Sequence, residues 1–301
     1  MRGKRLFIAT FLIPPLLLYG VLVVSPYAQA FQIAGTNWSG LSPTYDFVGL
    51  DNFRRLFGDA YFWNALRHNG LMLVLLPVAT ILLGLFLASM ISVGGRSDRV
   101  GVHGVRGAGF YRVVYFFPQV LSVAIIGVLW KEMYAPHTGM INGVLRSAGL
   151  DGLAVAWLGD PRFSFWCVLA VLVWMNVGFY VVLFSAAMQS IPRDLYEAAL
   201  LDGANRLTTL VRITVPLVWD TIQVAWVYLA IIAIDGFAVV QIITDGGPSS
   251  SSDVVGLRLY KTAFADGQFG YASAIGVAMF FMTLTVAVTF LRATRRERVE
   301  L

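Results

Sequence analysis

The sequence predicts an all-α polytopic membrane protein with six transmembrane helices. Of its 301 residues, 58% are hydrophobic and only 13% carry charge, and the mean hydropathy is +0.73. A soluble domain cannot bury that much apolar surface, whereas a lipid bilayer accepts it. Apolar stretches recur along the whole chain without a charged or proline-rich linker between them, so we expect one membrane domain spanning residues 1–301.

A helix needs about 20 mostly apolar residues to cross a bilayer. Six stretches meet this requirement, at about 6–31, 69–93, 113–135, 163–189, 215–243 and 270–291. The first stretch is too long for the apolar core of a signal peptide, so we expect it to be retained as an anchor. Pro77 and Pro118 predict kinks in the second and third helices.

The distribution of positive charge predicts how the helices are oriented. With six spans, both termini lie on the same side of the membrane. Fourteen Lys and Arg residues fall in the termini and loops of that side, including the basic loop 94–112, and eight fall on the other. Because cytoplasmic loops are enriched in Lys and Arg, we predict that both termini are cytoplasmic. Residues 46–66 have the pattern of an amphipathic helix at the outer interface.

A charged segment, residues 190–214, separates the fourth and fifth apolar stretches on the predicted cytoplasmic side. Asp194 and Glu197 have the spacing of a capping box, which predicts a short helix beginning at Asp194. Gly203 is expected to turn the chain where that helix ends. A second short helix is predicted at 206–213, before the fifth span begins.

Two interpretations of this segment are open on these grounds, a solvated loop and a docking surface. Several of its residues are too apolar for a solvated loop: Ala198, Ala199, Leu200, Leu201 and Ala204. A face of small apolar residues beside Glu197 and Asp202 is typical of a helix that docks into a groove on another protein.

The segment resembles the EAA loop of the permease subunits of binding-protein-dependent ABC importers. The matching pattern is Glu197-Ala198-Ala199-x3-Gly203-x9-Ile213-x-Val215-Pro216, with valine at 215 where the family's usual pattern has leucine. Four further motifs resemble the carbohydrate branch, the maltose and glycerol-phosphate type: FVGLDNF at 47–53, YFFP at 115–118, TDGGP at 244–248 and FGYASA at 269–274.

The resemblance implies a type I ABC importer permease fold in the cell membrane of a prokaryote. It implies that the EAA helix is a coupling helix seated in a cytoplasmic ATPase dimer, that a second homologous permease completes the pathway, and that an extracytoplasmic solute-binding protein delivers a sugar. The residues expected to couple to the ATPase are Glu197, Ala198, Ala199, Asp202, Gly203, Ala204 and Arg206.

This chain is expected to bind no cofactor of its own and to be no enzyme. The sequence contains no G-x-x-x-x-G-K-[ST] motif, so ATP and Mg²⁺ are expected on the partner ATPase. His103 is isolated in the sequence, which argues against a metal site. No stretch combines dense basic residues with aromatic ones, so nucleic acid is not an expected partner.

Polar and aromatic residues within the spans are the candidates for a substrate pathway. Ionisable residues in a span are costly and commonly functional, which singles out Asp235, with Gln241 further along the same stretch. The fourth stretch mixes the polar and flat aromatic groups that suit a sugar, and its candidates are Trp174, Asn176, Phe179 and Tyr180. For each residue, a satisfied polar or aromatic contact between helices is the alternative.

Three other functions fit the sequence less well. An importer of a polyol phosphate is disfavoured because the middle of the spans offers Asp235 but no Lys or Arg. An ion-coupled secondary transporter would need paired broken helices in corresponding halves of the chain, and no such pairing is visible. A membrane enzyme would need clustered His, Cys or paired carboxylates within the spans, and these are absent from the sequence.

Overall fold

The computed structural model describes residues 2–92 and 107–293, which are almost entirely helical. The first half of the chain contains α1 (Arg2–Tyr19), α2 (Ser25–Ala34), α3 (Asp51–Gly58), α4 (Ala60–Ser92), α5 (Ala108–Val120), α6 (Val123–Met133) and α7 (Met140–Ser147). The second half contains α8 (Ser164–Gln189), α9 (Arg193–Leu201), α10 (Arg206–Thr209), α11 (Val215–Leu217), α12 (Trp219–Asp235), α13 (Phe237–Ile243), α14 (Val255–Tyr260) and α15 (Phe269–Ala293). The prediction of an all-α fold is confirmed.

Four helical stretches are long and apolar enough to cross a membrane: Thr10–Ala34, Ala60–Ser92, Ser164–Gln189 and Phe269–Thr289. Two bent helix pairs pass the same test, so the described residues provide up to six spans. The basic loop 94–112 predicted from the sequence lies largely outside the described residues, because these resume at Gly107.

The third predicted span is bent in the structure. Helices α5 and α6 meet at 97°, with the break at Leu121 and Ser122. The hydroxyl of Ser122 accepts a hydrogen bond from the amide of Ile125 at 3.4 Å and so caps the start of α6. Pro118, which predicted a kink, lies in the last turn of α5 just before this break.

The fifth predicted span is interrupted twice. The stretch Arg206–Leu217 meets α12 at 80°, with the bend at Val218. Helix α12 then ends at Asp235, and α13 begins at Phe237. A π-helical turn, Leu210–Thr214, connects α10 to α11, so the chain stays helical up to the first bend.

One compact unit comprises residues 2–63 and 258–286. Its core contains Ala34, Ala274 and Val277, and aromatic rings of α2 pack against α15, where the rings of Phe31 and Phe280 lie 6.0 Å apart. Ala34 is the last residue of α2 and is buried in this core. The predicted interfacial helix at 46–66 is represented by α3, since α4 already begins at Ala60.

A charged network around Asp59 ties together the ends of the helices in this unit. The Asp59 carboxylate accepts hydrogen bonds from the hydroxyl of Tyr271 at 2.6 Å and from the amide of Tyr61 at 2.9 Å, and it lies 3.9 Å from the guanidinium of Arg258. Burial raises the pKa of this carboxyl, but these hydrogen bonds and the nearby cation outweigh burial and hold the pKa below its usual value. Asp59 therefore stays ionised while it caps α4.

The second compact unit comprises residues 64–92, 107–257 and 287–293 and contains most of the buried apolar residues. Helix α8 lies at its centre and contacts α5, α12 and α13, while α6 packs on α13. Gly178 permits the contact with α5, because a Cβ at this position would collide with the backbone carbonyl of Tyr115. Gly84 of α4 similarly packs against the side chains of Tyr180 and Phe184.

Candidate functional site

Residues 190–217, the coupling segment, form two short helical pieces joined by a glycine turn. Helix α9 ends at Leu201, and Gly203 follows with φ of 75°, a left-handed conformation that glycine adopts without strain. The side chain of Asn205 then accepts a hydrogen bond from the amide of Thr208 at 2.8 Å and caps α10. The predicted turn at Gly203 and the predicted second helix are both present.

The predicted capping box is wrong. Helix α9 begins at Arg193, its N-cap residue is Pro192, and no side chain caps it. Asp194 lies inside the first turn, where a negative charge interacts favourably with the helix dipole without serving as the cap. Pro192 lies at the N-cap position with ψ of 134°, an extended conformation, so Arg193 is the first helical residue.

A buried hydrogen bond joins the two pieces of the coupling segment. The hydroxyl groups of Tyr196 on α9 and Thr214, which precedes α11, lie 3.1 Å apart, and both residues are buried. Thr214 also donates to the carbonyl of Thr209 at 3.4 Å. Burial raises the pKa of the Tyr196 hydroxyl, although the bond to Thr214 lowers it, so the hydroxyl keeps its proton near neutral pH.

The outer face of the coupling segment exposes apolar side chains. Leu201 is 90% exposed, and Leu195, Leu200 and Leu207 are exposed as well. Of the predicted coupling residues, Ala199 is buried and Glu197 and Ala204 are half-buried, while the remainder are exposed: Ala198, Asp202, Gly203 and Arg206. Several exposed apolar side chains on one short segment, with carboxylates beside them, are typical of a docking site for another protein.

A cavity of about 270 Å³ opens beside this surface. Phe86 and Met90 at the end of α4 line one side, and Arg206, Leu207 and Leu210 line the other. The cavity therefore lies between the second apolar span and the coupling segment, so a movement of the coupling segment changes its walls.

Helix α12 presents one buried and one exposed face. The buried residues follow helical spacing: Ile222, Ala225, Leu229 and Ala233. The exposed residues follow the same spacing on the opposite side and form what we call the α12 stripe: Asp220, Val224, Tyr228, Ile231 and Asp235. The stripe combines two carboxylates and a tyrosine with aliphatic side chains on a helix long enough to lie within a bilayer.

The four candidates on α8 have different environments. Asn176 is buried and donates to the carbonyl of Leu172 on its own helix at 2.8 Å, so its amide is partly satisfied locally. Tyr180 is 1% exposed and belongs to the core. Trp174 is half-buried and packs edge-on against Trp130 at 5.3 Å, whereas Phe179 is exposed.

Asp235 lies at the helix break and not in the middle of a continuous fifth helix, as the sequence indicated. Its side chain is exposed and forms no hydrogen bond or ion pair with another described residue. Gln241 is half-buried on α13, beyond the break. The structure groups Asp235 with Tyr228 on the α12 stripe, while Asn176 and Tyr180 face into the core.

Tyr228 was not among the pathway residues predicted from the sequence. It is 63% exposed and lies between the two carboxylates of the stripe. The signal was available, because residues 220, 224, 228, 231 and 235 repeat at intervals of three or four. It was obscured because the whole stretch is apolar, so that hydropathy alone does not distinguish its two faces.

Comparison with known proteins gives a consistent result. Residues 3–299 match a family described as "binding-protein-dependent transport system inner membrane component". The chain is 44% identical over 283 residues to the diacetylchitobiose uptake system permease protein NgcF of Streptomyces coelicolor. The aligned region covers 93% of this chain and 80% of that protein. It is 34% identical to a probable ABC transporter permease of Pyrococcus horikoshii, over 95% of this chain and 94% of that one.

A more distant relative is the multiple sugar-binding transport system permease protein MsmF of Streptococcus mutans, 29% identical over 96% of both chains. Among solved structures, a chain of a bacterial ABC transporter involved in the import of the acidic polysaccharide alginate superposes with a TM-score of 0.78. The two are 24% identical, and the superposition covers 98% of each chain. That structural similarity shows that the two chains share the same fold.

Proposed function

We propose, since this chain belongs to the family of binding-protein-dependent transport system inner membrane components, that it forms one half of the pathway through which an ABC importer moves a neutral oligosaccharide. The chain is a permease with the type I ABC importer fold and multiple membrane-spanning helices. The proposal concerns its cargo, its partners and the sites at which it meets them.

The exposed coupling segment is the observation that carries the assignment of partners. Its leucines, above all Leu201, would be costly to leave in water, so they need a protein partner. The sequence has no nucleotide-binding motif of the Walker type, so the energy for transport comes from a separate ATPase dimer that this surface fits. This assignment implies that the coupling segment and both termini are cytoplasmic.

A second permease subunit is the partner that fits the α12 stripe. Val224 and Ile231 leave apolar surface open on one helix face, while Asp220, Tyr228 and Asp235 place polar groups on the same face. A polar face on a membrane helix must meet protein or a water-filled path, because lipid cannot satisfy it. Two such subunits facing each other enclose a path, and an extracytoplasmic solute-binding protein supplies the cargo to it.

The chemistry of the stripe favours an uncharged cargo with many hydroxyl groups. Residues 219–243 and 164–189 contain no Lys or Arg, so nothing along α8, α12 or α13 compensates a phosphate or an acidic sugar. Carboxylates accept hydrogen bonds from sugar hydroxyls, and the rings of Tyr228 and Phe179 offer flat apolar surfaces. The relative named for diacetylchitobiose uptake supports a neutral oligosaccharide of this kind.

The test is to purify the complete complex from membranes and to screen its solute-binding protein against neutral oligosaccharides, beginning with N,N′-diacetylchitobiose. The complex is then reconstituted into liposomes and its ATP-dependent uptake of the bound sugar is measured. We expect binding and uptake of a neutral oligosaccharide. Selective uptake of a phosphorylated or acidic solute would contradict the proposed cargo, and uptake driven by an ion gradient without ATP would contradict the proposed mechanism.

A further inference from the structure

The side chain of Asn69 connects three segments of the chain that are distant in sequence. Asn69 lies on α4 and is 6% exposed. Its amide nitrogen donates to the carbonyl of Ala233 at 3.0 Å and to that of Ile234 at 3.2 Å. Its amide oxygen accepts a hydrogen bond from the backbone amide of Val255 at 2.8 Å. Both ends of the side chain are therefore satisfied by backbone groups.

The three backbone groups that bind Asn69 lie at helix ends, where carbonyls and amides have no hydrogen-bond partner within their own helix. Ala233 and Ile234 belong to the last four residues of α12, whose carbonyls have no intrahelical amide to accept. Val255 is the first residue of α14, whose amide is likewise unpaired within its helix. The carboxamide of Asn69 thus supplies hydrogen-bond partners both to the end of α12 and to the beginning of α14. A buried unpaired carbonyl or amide would otherwise be costly.

The end of α12 held in this way is the position of Asp235. Asn69 binds the carbonyls of the two residues immediately before it, and Gly236 follows at the break. The orientation of Asp235 on the α12 stripe therefore depends on where these two carbonyls are fixed. The side chain of Asp235 forms no hydrogen bond with another described residue, so no other residue of the stripe holds it in place directly.

We infer that Asn69 is a positioning residue for the substrate pathway, which holds the break in the fifth span so that Asp235 faces the cargo. This inference rests on the proposed function of the α12 stripe. Asn69 does not lie on the stripe, and it acts through the backbone of α12. It differs in this from Asp235 and Tyr228, which contact the cargo directly in the proposed pathway.

Asn64 and His68, which lie near Asn69 on α4, hold the loop before α14 in place through hydrogen bonds that do not involve α12. The amide of Asn64, also on α4, donates to the carbonyl of Ser250 at 2.7 Å, and Nδ1 of His68 lies 2.8 Å from the carbonyl of Asp253. Ser250 has φ of 59°, a conformation that non-glycine residues adopt only under constraint from their surroundings. These contacts fix the loop before α14 but do not reach α12, so Asn64 is the matched control for Asn69.

The transport test compares Asn69→Ala, Asn69→Asp and Asn64→Ala in the reconstituted complex, after each has been checked for assembly. Asn69→Asp retains the acceptor for Val255 but removes both donors to α12. We expect each Asn69 variant to raise the sugar concentration for half-maximal uptake about tenfold, with the maximal rate per complex little changed. We expect Asn64→Ala to leave that concentration within about twofold of the unaltered complex.

A double-mutant cycle with Asp235→Ala separates positioning from general loss of structure. If Asn69 acts through Asp235, then Asn69→Ala has little further effect once Asp235 is alanine. Additive effects of the two substitutions, or equal effects of Asn69→Ala and Asn64→Ala, would overturn the inference.

A second measurement needs no cargo and so separates failure of this inference from failure of the proposed function. Ala238 is exposed just beyond the break, and the native Cys167 is buried. The rate at which a maleimide labels Ala238→Cys is compared with and without Asn69→Ala. We expect release of the break to change this rate at least severalfold while Asn64→Ala leaves it unchanged. Equal rates in all three backgrounds would overturn the inference whatever solute the complex transports.

Discussion

The hydroxyl groups of Tyr196 and Thr214 lie 3.1 Å apart, and this hydrogen bond joins α9 to the stretch that leads into the fifth span. Tyr196 lies one residue before Glu197, and Thr214 lies four residues before the bend at Val218. If an ATPase docks on the coupling segment as proposed, this buried contact would pass a displacement of α9 to the start of α12. The hydrogen bond therefore links the proposed docking surface to the proposed pathway.

Tyr196→Phe tests this connection, because it removes the hydroxyl and leaves the ring in place. Loss of one buried hydrogen bond of this kind costs about 1 kcal/mol. We expect the complex to hydrolyse ATP but to transport less sugar per ATP, which is measured as the ratio of uptake to ATPase rate in liposomes. Tyr45→Phe, at an exposed tyrosine of the other compact unit, is the control. An unchanged ratio for Tyr196→Phe would show that the bond does not transmit movement.

Gly203 provides the second prediction. Gly203 and Gly149 both follow a short helix, both have φ of 75°, and at neither position would an added Cβ meet another atom within 4 Å. An alanine at either site therefore carries the same backbone cost of roughly 1 kcal/mol. We expect Gly203→Asp to abolish uptake and ATPase stimulation while the protein still inserts, and Gly203→Ala to reduce both. Gly149→Ala should transport normally, and normal transport by Gly203→Asp would contradict a docking role.

Asp235 provides the third prediction. Asp235→Ala should change the uptake profile, seen as a higher half-saturating sugar concentration, without reducing the amount of assembled complex. The reason is that this exposed carboxylate has no described partner whose loss would destabilise the fold. Asp220→Ala, at the other end of the same stripe, reports whether the effect depends on position. An unchanged uptake profile for Asp235→Ala would remove it from the pathway.

The sequence predicted the long helices well because their signal is continuous hydrophobicity. Residues 163–189 were predicted as a span, and α8 runs from Ser164 to Gln189. Pro118 predicted a kink in the third span, and the break lies just beyond it, at Leu121 and Ser122. The two breaks in the fifth span were not predicted, because a bend leaves the average hydropathy of a stretch unchanged. Asp235 was predicted to lie within the fifth span, and only the structure shows that α12 ends there and that Asn69 is the hydrogen-bond partner for the carbonyls of Ala233 and Ile234.

The candidate site was predictable to different degrees for similar reasons. The EAA pattern is local, so Glu197 and Gly203 were selected from their resemblance to the family's motif, and their coupling role stays a prediction. Asn69 could not, because its three partners are 164 to 186 residues away and are all backbone groups. Tyr180 was assigned to the pathway from its residue type, and only packing shows that it belongs to the core. Tertiary contacts decide such cases.

The Asp59 network predicts a dependence of stability on pH. The folded-state pKa of Asp59 is lowered, so its contribution is fully present above its ordinary pKa near 3.8 and is lost as the pH falls through the folded value. Asp59→Ala also removes the cap of α4, which costs about 1 kcal/mol and lowers the melting temperature by roughly 2–4 °C. Thermal unfolding in detergent at pH 7 and at successively lower pH values measures both effects.

In this experiment we expect the difference between the unaltered protein and Asp59→Ala to be largest near neutral pH and to shrink below about pH 4. Asp51→Ala is a suitable control, since the one ion pair that Asp51 forms with a described residue is an exposed pair with Arg54. Such pairs contribute little to stability. A difference that grows as the pH falls would show that the network does not stabilise the ionised carboxyl.

Cysteine cross-linking between the coupling segment and the ATPase tests the proposed docking surface most directly. The chain has a single, buried cysteine, so one introduced cysteine provides a defined reactive site. Leu201→Cys lies at the tip of the proposed docking surface, and Leu153→Cys is a control at another exposed leucine, in the loop before α8. We predict that Leu201→Cys forms a cross-link to the ATPase subunit in the assembled complex and that Leu153→Cys does not. A cross-link from Leu153→Cys, or none from Leu201→Cys in an active complex, would show that the ATPase does not dock on the coupling segment as proposed.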